Sequence, residues 1–220
     1  MAYFSEDFFH FFFELSQSNN KDWFDANRKR YEREIKKPFY LFSQDLAEQI
    51  KHNLGAKDVF MKRFRINRDI RFSKDKTPYK THVAAMIRAR DVKNMGAPGF
   101  YVHFGLDGSF MGGGAYQPDK NQLQAIRQSI VSNPKSFYKR VENEDFVNMY
   151  GEIKGEKNKR LPKEFNEPAQ KHPILFNKQF YFMKEYQESE WLMKDDLLDF
   201  VIQHFEVQRP LMDWLDQAIE

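Results

Sequence analysis

Arginine and lysine side chains are concentrated in one short stretch of this chain, residues 61–82. The stretch holds eight Lys or Arg and two Asp, a net charge of +6 in a protein whose total is +3, so the remaining residues sum to −3. Arginine presents a planar fork of donors that fits phosphate and carboxylate groups. A positive field confined to a tenth of the chain predicts a binding place for something negatively charged.

Alternation of apolar and polar residues predicts a β-strand over residues 60–72. Arg63, Arg65 and Arg71 then share one face with Asp69, alternate residues lying about 6.5–7 Å apart. Three arginine forks in a row would form a platform for an anion. The alternative, about equally weighted, is a solvated sheet face whose arginines pair with acidic groups elsewhere in the chain.

The residues that follow, Ser73–Lys80, predict a loop between two strands. Its lysines and hydroxyl groups resemble a phosphate-gripping loop in composition, although the glycine pattern of a P-loop is missing. An ordinary charged hairpin loop is the alternative. Arg68 falls on the apolar face of the predicted strand, where a guanidinium needs a carboxylate partner or a bulge that turns it outward. The candidate ligand-binding residues of this region are Arg65, Arg68, Arg71, Ser73, Lys74, Lys76, Tyr79 and Lys80.

Three consecutive glycines, Gly112, Gly113 and Gly114, interrupt a later predicted strand and complete the set of candidate ligand-binding residues. Glycine inside a strand marks a bulge or a place where another backbone or a ligand comes very close. Exposed amides there could form an anion-binding nest. We place a structural bulge slightly ahead of ligand contact, and the order would reverse if this strand lay beside the basic one.

Candidates for proton transfer are few. His82 and His103 are the histidines of the strand region, and Asp69 has basic neighbours, so these three are weak catalytic candidates. A single histidine in a strand is more often structural. The six histidines are scattered singly along the chain, and this spacing predicts no metal site.

Period-3.6 patterns predict helices in the first quarter and the last hundred residues, whereas period-2 patterns predict strands from about residue 59 to 116. Short loops between successive strands imply antiparallel pairing, and one more strand is predicted near residue 180. The expected fold class is α+β. Residues 1–220 are expected to form a single globular domain, with a central, mainly antiparallel sheet and helices from both ends of the chain packed on it.

Composition excludes several structural classes for this protein. With 41% hydrophobic residues, 23 of them Phe, the chain is not of the disordered class. It has no cysteine, so disulfides and thiolate chemistry are excluded. The apolar run Phe8–Phe13 follows acidic residues and is far shorter than the ~20 residues that cross a bilayer. We therefore expect a buried helix there, and a soluble cytoplasmic protein without a membrane partner.

Three blocks of sequence resemble one known family. They are Asn19–Phe24 with Asn27, Arg28 and Tyr31; then Arg68–Lys80; then Gly112–Gly114 with Pro118. In order and spacing they resemble the domain of unknown function 2461 family of bacterial and fungal proteins, over nearly the whole chain. The family tends to have an aromatic residue, often Trp, at the position of Tyr116, so tyrosine in place of tryptophan is a mild departure. The resemblance implies a single globular domain and one site that includes the three blocks. It implies no activity, cofactor or catalytic residue.

Three functions follow from these observations. The first is a compact anion-binding site for a phosphorylated or carboxylated small molecule, with enzymatic activity left open. The second is nucleic-acid binding through the basic strand and loop, residues 62–80, although the net −3 elsewhere argues against a wide electrostatic footprint. The third is a structural or interaction module that docks an acidic partner. Cofactors and the oligomeric state are not predicted.

Overall fold

A computed structural model of the protein describes residues 2–55, 59–88, 96–187 and 190–220. Its five-stranded sheet is antiparallel, and the strands are neighbours in chain order, β1 to β5. The strands are β1 (Phe60–Arg63), β2 (His82–Arg88), β3 (Phe100–Gly105), β4 (Ser109–Ala115) and β5 (Phe180–Tyr186). Helices occupy both ends of the chain. The predicted α+β class, the antiparallel pairing and the additional strand near residue 180 are confirmed.

The N-terminal helices are α1 (Glu6–Gln17), α2 (Lys21–Ala26), α3 (Arg28–Arg30) and α4 (Lys37–Leu54), with a π-helical turn over Tyr31–Lys36. The C-terminal part holds α5 (Lys120–Ser132), α6 (Pro134–Val141), α7 (Glu144–Tyr150), α8 (Lys163–Asn166), α9 (Pro168–Lys171) and α10 (Leu197–Ile219). Two 3₁₀ turns cover Pro173–Phe176 and Glu190–Met193. Pro210 lies inside α10.

The chain divides into two compact units. The first contains the N-terminal helices, β1, β2, Tyr101–Met111 and Glu185–Gln203, and the second contains Gly112–Lys184 and His204–Glu220. The expectation of a single domain stays a prediction.

Phenylalanine forms the core of the first unit. The acidic first turn of α1 leads into a buried face that includes Phe8 and Phe11, as the sequence predicted. Phe104 of β3 contacts Phe4 and Phe42, with ring centroids 5.9 and 5.3 Å apart. Since side chains alternate along a strand, the neighbours of Phe104 on β3 point to the opposite face of the sheet.

The core of the second unit is a cluster of buried side chains from its helices and strands. Asp119 begins α5 with a capping box to Gln122, which satisfies backbone donors at the helix start. Ile126 and Ile130 then face the core on successive turns, where the cluster also includes Phe137.

Strand β1 is shorter than the alternating pattern predicts. It ends at Arg63 instead of continuing to Phe72. Beyond it the chain makes single contacts with the returning segment: the Arg68 amide donates to the Pro78 carbonyl at 2.9 Å, and the Lys80 amide donates to the Ile66 carbonyl at 2.9 Å. Proline has no amide donor, which limits pairing here. Arg65, Asp69 and Arg71 therefore do not lie on one strand face.

Candidate functional site

A cleft of about 540 Å³ lies beside the end of β1 in the first unit. All of its lining residues come from the basic stretch of the sequence. They are Lys62, Arg63, Phe64, Arg65, Asn67, Asp69 and Lys80. We call this the basic cleft. The backbone contact between Lys80 and Ile66 brings the end of the loop beside the end of β1, so the chain forms the cleft by folding back on itself.

Two cations of the basic cleft lack a carboxylate partner within the described ranges. Neither Arg65 nor Lys80 has an Asp or Glu oxygen within ion-pair distance there. Burial lowers the pKa of the Lys80 ammonium, and the positive charge of Arg65 lowers it further. The two like charges are therefore close enough to repel each other, and both were predicted as ligand-binding residues.

Phe64 lies on the same side of the cleft as two lysines. The Lys62 ammonium is 5.3 Å from the centroid of its ring, and the Lys80 ammonium is 5.7 Å from it. The ring also packs edge-on against Tyr101 of β3, 5.8 Å between centroids. Phe64 falls on the apolar face of the strand predicted over residues 60–72, opposite Arg63 and Arg65, and was not among the predicted site residues. The only signal for it was that Lys62, two residues earlier, occupies the same face.

His82 and His103, two of the weak catalytic candidates, pack against each other with tilted rings whose centroids are 3.9 Å apart. His103 also stacks on Phe110 of β4 at 4.3 Å. Burial lowers the pKa of His82 to about 4 and that of His103 to about 3, and the charge of Lys80 acts in the same direction on both. At neutral pH both imidazoles are therefore uncharged.

Arg63 points to the helices instead of into solution. Its Nε donates to Ser43 Oγ at 2.5 Å, and its guanidinium lies over the ring of Tyr40, 4.1 Å from the centroid. Both partners belong to α4. Burial lowers the pKa of Arg63. This arginine attaches β1 to α4 while its stem lines the cleft.

Most of the charged side chains in the loop after Ile66 bind to the loop itself. Arg68 donates to Asp75 and Thr77, so it has the carboxylate partner that the sequence required. Arg71 holds Asp69 through Nε at 2.9 Å and Nη2 at 2.6 Å. Hydrogen bonds from Arg71 lower the pKa of Asp69 to about 2. Lys76 donates to the Ile70 carbonyl at 2.9 Å. Arg68, Arg71 and Lys76 are thus engaged within the loop.

The tip of the loop presents an aromatic ring to solvent. Phe72 is 95% exposed, with the Arg71 guanidinium 5.9 Å from its ring centroid. The amide of Ser73 donates to the Ile70 carbonyl at 3.3 Å and closes a turn, and Lys74 is exposed. Ser73 and Lys74 therefore lie at the tip and do not line the basic cleft.

Tyr79 is buried and precedes Lys80, a lining residue of the cleft. Its ring stacks on Phe24 of α2, 4.1 Å between centroids. The Asn19 amide group donates to the Tyr79 carbonyl at 2.9 Å and accepts from the Tyr79 amide at 3.1 Å. One side chain thus pairs with the backbone next to Lys80. Sequence analysis placed Asn19 in the first of the three family blocks without assigning it this role; the cap of α2 is Asn20.

We expect Asn19→Ala to lower the free energy of unfolding by about 2 kcal/mol, because two hydrogen bonds to a buried backbone are lost together. Urea denaturation measures the change. Asn20→Ala is the control, since loss of a helix cap costs about 1 kcal/mol. A smaller effect at position 19 than at position 20 would show that the Asn19–Tyr79 pairing does not stabilise the loop.

The three glycines lie in the second unit, where each meets a close neighbour. An added Cβ at Gly112 or Gly114 would overlap a backbone carbonyl oxygen of β5, that of Phe182 or Phe180. At Gly113 it would overlap the side-chain amide of Gln208. Close approach of another backbone is one of the roles expected for glycine in a strand, and here it accounts for Gly112 and Gly114.

Within the described residues, no group of three or more His, Asp or Glu is placed to hold a metal ion. In the same part of the chain, no helix combines the length and apolar character needed to cross a membrane. A family model described as a conserved hypothetical protein (DUF2461) matches residues 7–214, a range that includes all three sequence blocks noted above. No curated protein matches the chain.

Proposed function

The chain belongs to the conserved hypothetical protein family DUF2461, and we propose that it binds a small phosphorylated or carboxylated molecule in the basic cleft. One observation carries the proposal. Arg65 and Lys80 lie together with no Asp or Glu oxygen within ion-pair distance among the described residues, while the arginines of the neighbouring loop are paired. Asp69 of the same cleft interacts with Arg65 at longer range but forms its ion pair with Arg71.

Like charges held close together destabilise the free protein. Partial burial of Lys80 adds a desolvation penalty, which is why its pKa is lowered. An anion between the two cations would remove the repulsion and form charge-assisted hydrogen bonds. Residues that destabilise the free protein in this way are typical of binding sites, where function and stability compete.

The dimensions of the cleft favour a small ligand. Its volume of about 540 Å³ falls within the roughly 300–1,000 Å³ of small-molecule pockets. Arg68 and Arg71 are neutralised by Asp75 and Asp69, so the uncompensated positive charge is more compact than the +6 of the sequence indicates. A broad nucleic-acid footprint would need cations spread over a larger surface.

We expect Lys80→Met to separate stability from binding. The free protein should become more stable by about 0.5 kcal/mol, because a charge repulsion is removed. The stabilisation by phosphate, pyrophosphate or citrate should be lost. In the unmodified protein an anion at 100 times its dissociation constant adds about 2.7 kcal/mol, which a thermal-shift titration in a non-binding buffer measures.

The matched control is Lys74→Met, which removes an exposed lysine of the same loop that does not line the cleft. It should keep the full anion-induced shift. An equal shift in Lys80→Met and in the unmodified protein would place the anion elsewhere. Absence of any shift with all three anions in the unmodified protein would remove the proposed function.

A further inference from the structure

We propose that the ligand of the basic cleft is a nucleotide unit, with its phosphate between Arg65 and Lys80 and its base against the ring of Phe64. This inference rests on the proposed function, since it requires an anion in the cleft. It adds the chemical class of the molecule that carries the anion.

The ring of Phe64 is held in a fixed place. Its backbone amide donates to the Ala84 carbonyl of β2 at 2.9 Å, immediately after the end of β1. The ring is half-buried and packs edge-on on Tyr101 at 5.8 Å. A rigid aromatic ring in a cleft is a preorganised surface for a planar ligand, because little conformational freedom is lost on binding.

The positions of two lysines indicate that the ring can be reached from solution. Lys62 is exposed, yet its ammonium lies 5.3 Å from the Phe64 centroid, and the Lys80 ammonium lies 5.7 Å from it. Long lysine stems move easily. A phosphate bound at Arg65 would attract the Lys80 ammonium and leave a ring face to a planar group. The anion site and the aromatic surface are therefore adjacent and share Lys80.

A nucleotide fits this combination better than a simple sugar phosphate. Bases stack on protein aromatics through their π-faces whatever their identity, whereas a sugar offers no planar face. The Asn67 side chain also lines the cleft, and its amide can donate and accept at once, as the edge of a base requires. The two cations thus match the phosphate of a nucleotide, the aromatic ring matches the face of its base, and the amide matches the edge of its base.

Calorimetric titration of the full chain at low salt tests the proposal with three probes: AMP, ribose 5-phosphate and inorganic phosphate. We expect AMP to bind about tenfold more tightly than ribose 5-phosphate, from stacking of the base. Phe64→Leu should abolish that preference and leave the affinity for ribose 5-phosphate within about twofold. Phe110→Leu is the control, because this ring belongs to the same sheet face but does not line the cleft.

A second variant keeps the test decisive if Phe64→Leu does not fold. Phe64→Tyr keeps an aromatic face and should keep the preference for AMP, whether or not the leucine variant folds. Equal affinities for AMP and ribose 5-phosphate, or an unchanged preference in a folded Phe64→Leu, would overturn the inference and leave anion binding intact. If none of the three probes binds, the proposed function fails as well.

An oligothymidylate of ten residues distinguishes the two sources of a nucleotide unit. Tighter binding of the oligomer than of TMP, with a log–log salt dependence of about −0.7 for each phosphate bound, assigns the cleft to a single strand. Equal binding assigns it to a free nucleotide. Both results support the nucleotide class, and a strand that binds equally well to Phe64→Leu contradicts it.

Discussion

Gly112→Ala is expected to destabilise the folded protein by about 4 kcal/mol, because two backbones approach too closely there to leave room for a methyl group. The added Cβ would overlap the carbonyl oxygen of Phe182 and lie 2.8 Å from the Cα of Met183. Both atoms belong to the backbone of β5, which cannot move aside as a side chain can. Urea denaturation followed by circular dichroism measures the loss, or poor recovery of folded protein shows it directly.

The neighbouring glycine is a matched control. At Gly113 an added Cβ meets the end of the Gln208 side chain and lies 3.1 Å from Met212 Sδ. The two side chains can adjust, although Gln208 is fully buried, and the Gly99 carbonyl oxygen, at 3.1 Å, is the one backbone atom given nearby. We expect Gly113→Ala to cost about 1–2 kcal/mol. Equal costs at the two positions would mean that β4 and β5 do not approach as closely at Gly112 as the structure places them.

The triple glycine shows what a sequence pattern can and cannot resolve. Three glycines in a strand indicated a bulge or a close approach, but the pattern alone could not say what approaches. The structure places backbone of β5 against Gly112 and Gly114. Nothing in the sequence near residue 112 refers to residues 180–183, so this contact was beyond local reasoning.

Local signals predicted most of the secondary structure. Period-3.6 patterns marked the helices, and period-2 alternation marked the strands. The end of β1 was missed because alternation continues past Arg63 while the partner segment stops pairing regularly. That segment contains Pro78, which has no amide to donate, and Asn67 and Tyr79 form only an isolated bridge. A periodic pattern describes one strand and contains no information about its partner.

The candidate site was predicted as a set of residues but not as an arrangement. Eight cations were evident from the sequence, yet their pairing depends on which acidic groups the loop brings near. Arg68 forms an ion pair with Asp75, and Arg71 forms one with Asp69. Arg65 and Lys80 form no such ion pair among the described residues. Phe64 was placed by alternation on the face of the strand opposite Arg63 and Arg65, and not in the site. Only the geometry distinguishes loop-stabilising arginines from those available to a ligand.

The other large effect is a loss of stability in mild acid, because the folded protein resists protonation of His82 and His103. Burial holds the pKa of His82 at about 4 and that of His103 at about 3. Each ring contacts the other, Lys80 lowers both pKa values, and only Asp107 raises that of His82. In the unfolded chain both would titrate near the ordinary histidine pKa of about 6.5.

The sign of the effect follows from the proton count. Above pH 6.5 both states leave these histidines neutral, so the full stability is present. As the pH falls from 6.5 towards 4, the unfolded chain binds protons that the folded protein excludes, and stability decreases. Each histidine contributes up to about 1.4 kcal/mol per pH unit. Allowing for residual solvent exposure, we expect a loss of about 2–3 kcal/mol between pH 6.5 and pH 5, measured by urea denaturation at a series of pH values.

Substitution of both His82 and His103 measures their contribution to the pH dependence of stability. His82→Phe with His103→Phe keeps two flat rings in contact and removes both titrating groups, so the double variant should lose most of the pH dependence in this range. His204, whose pKa burial lowers to about 4, should account for much of what remains. A flat profile in the unmodified protein, or a decline that the double variant retains, would show that the histidine pair does not control acid stability.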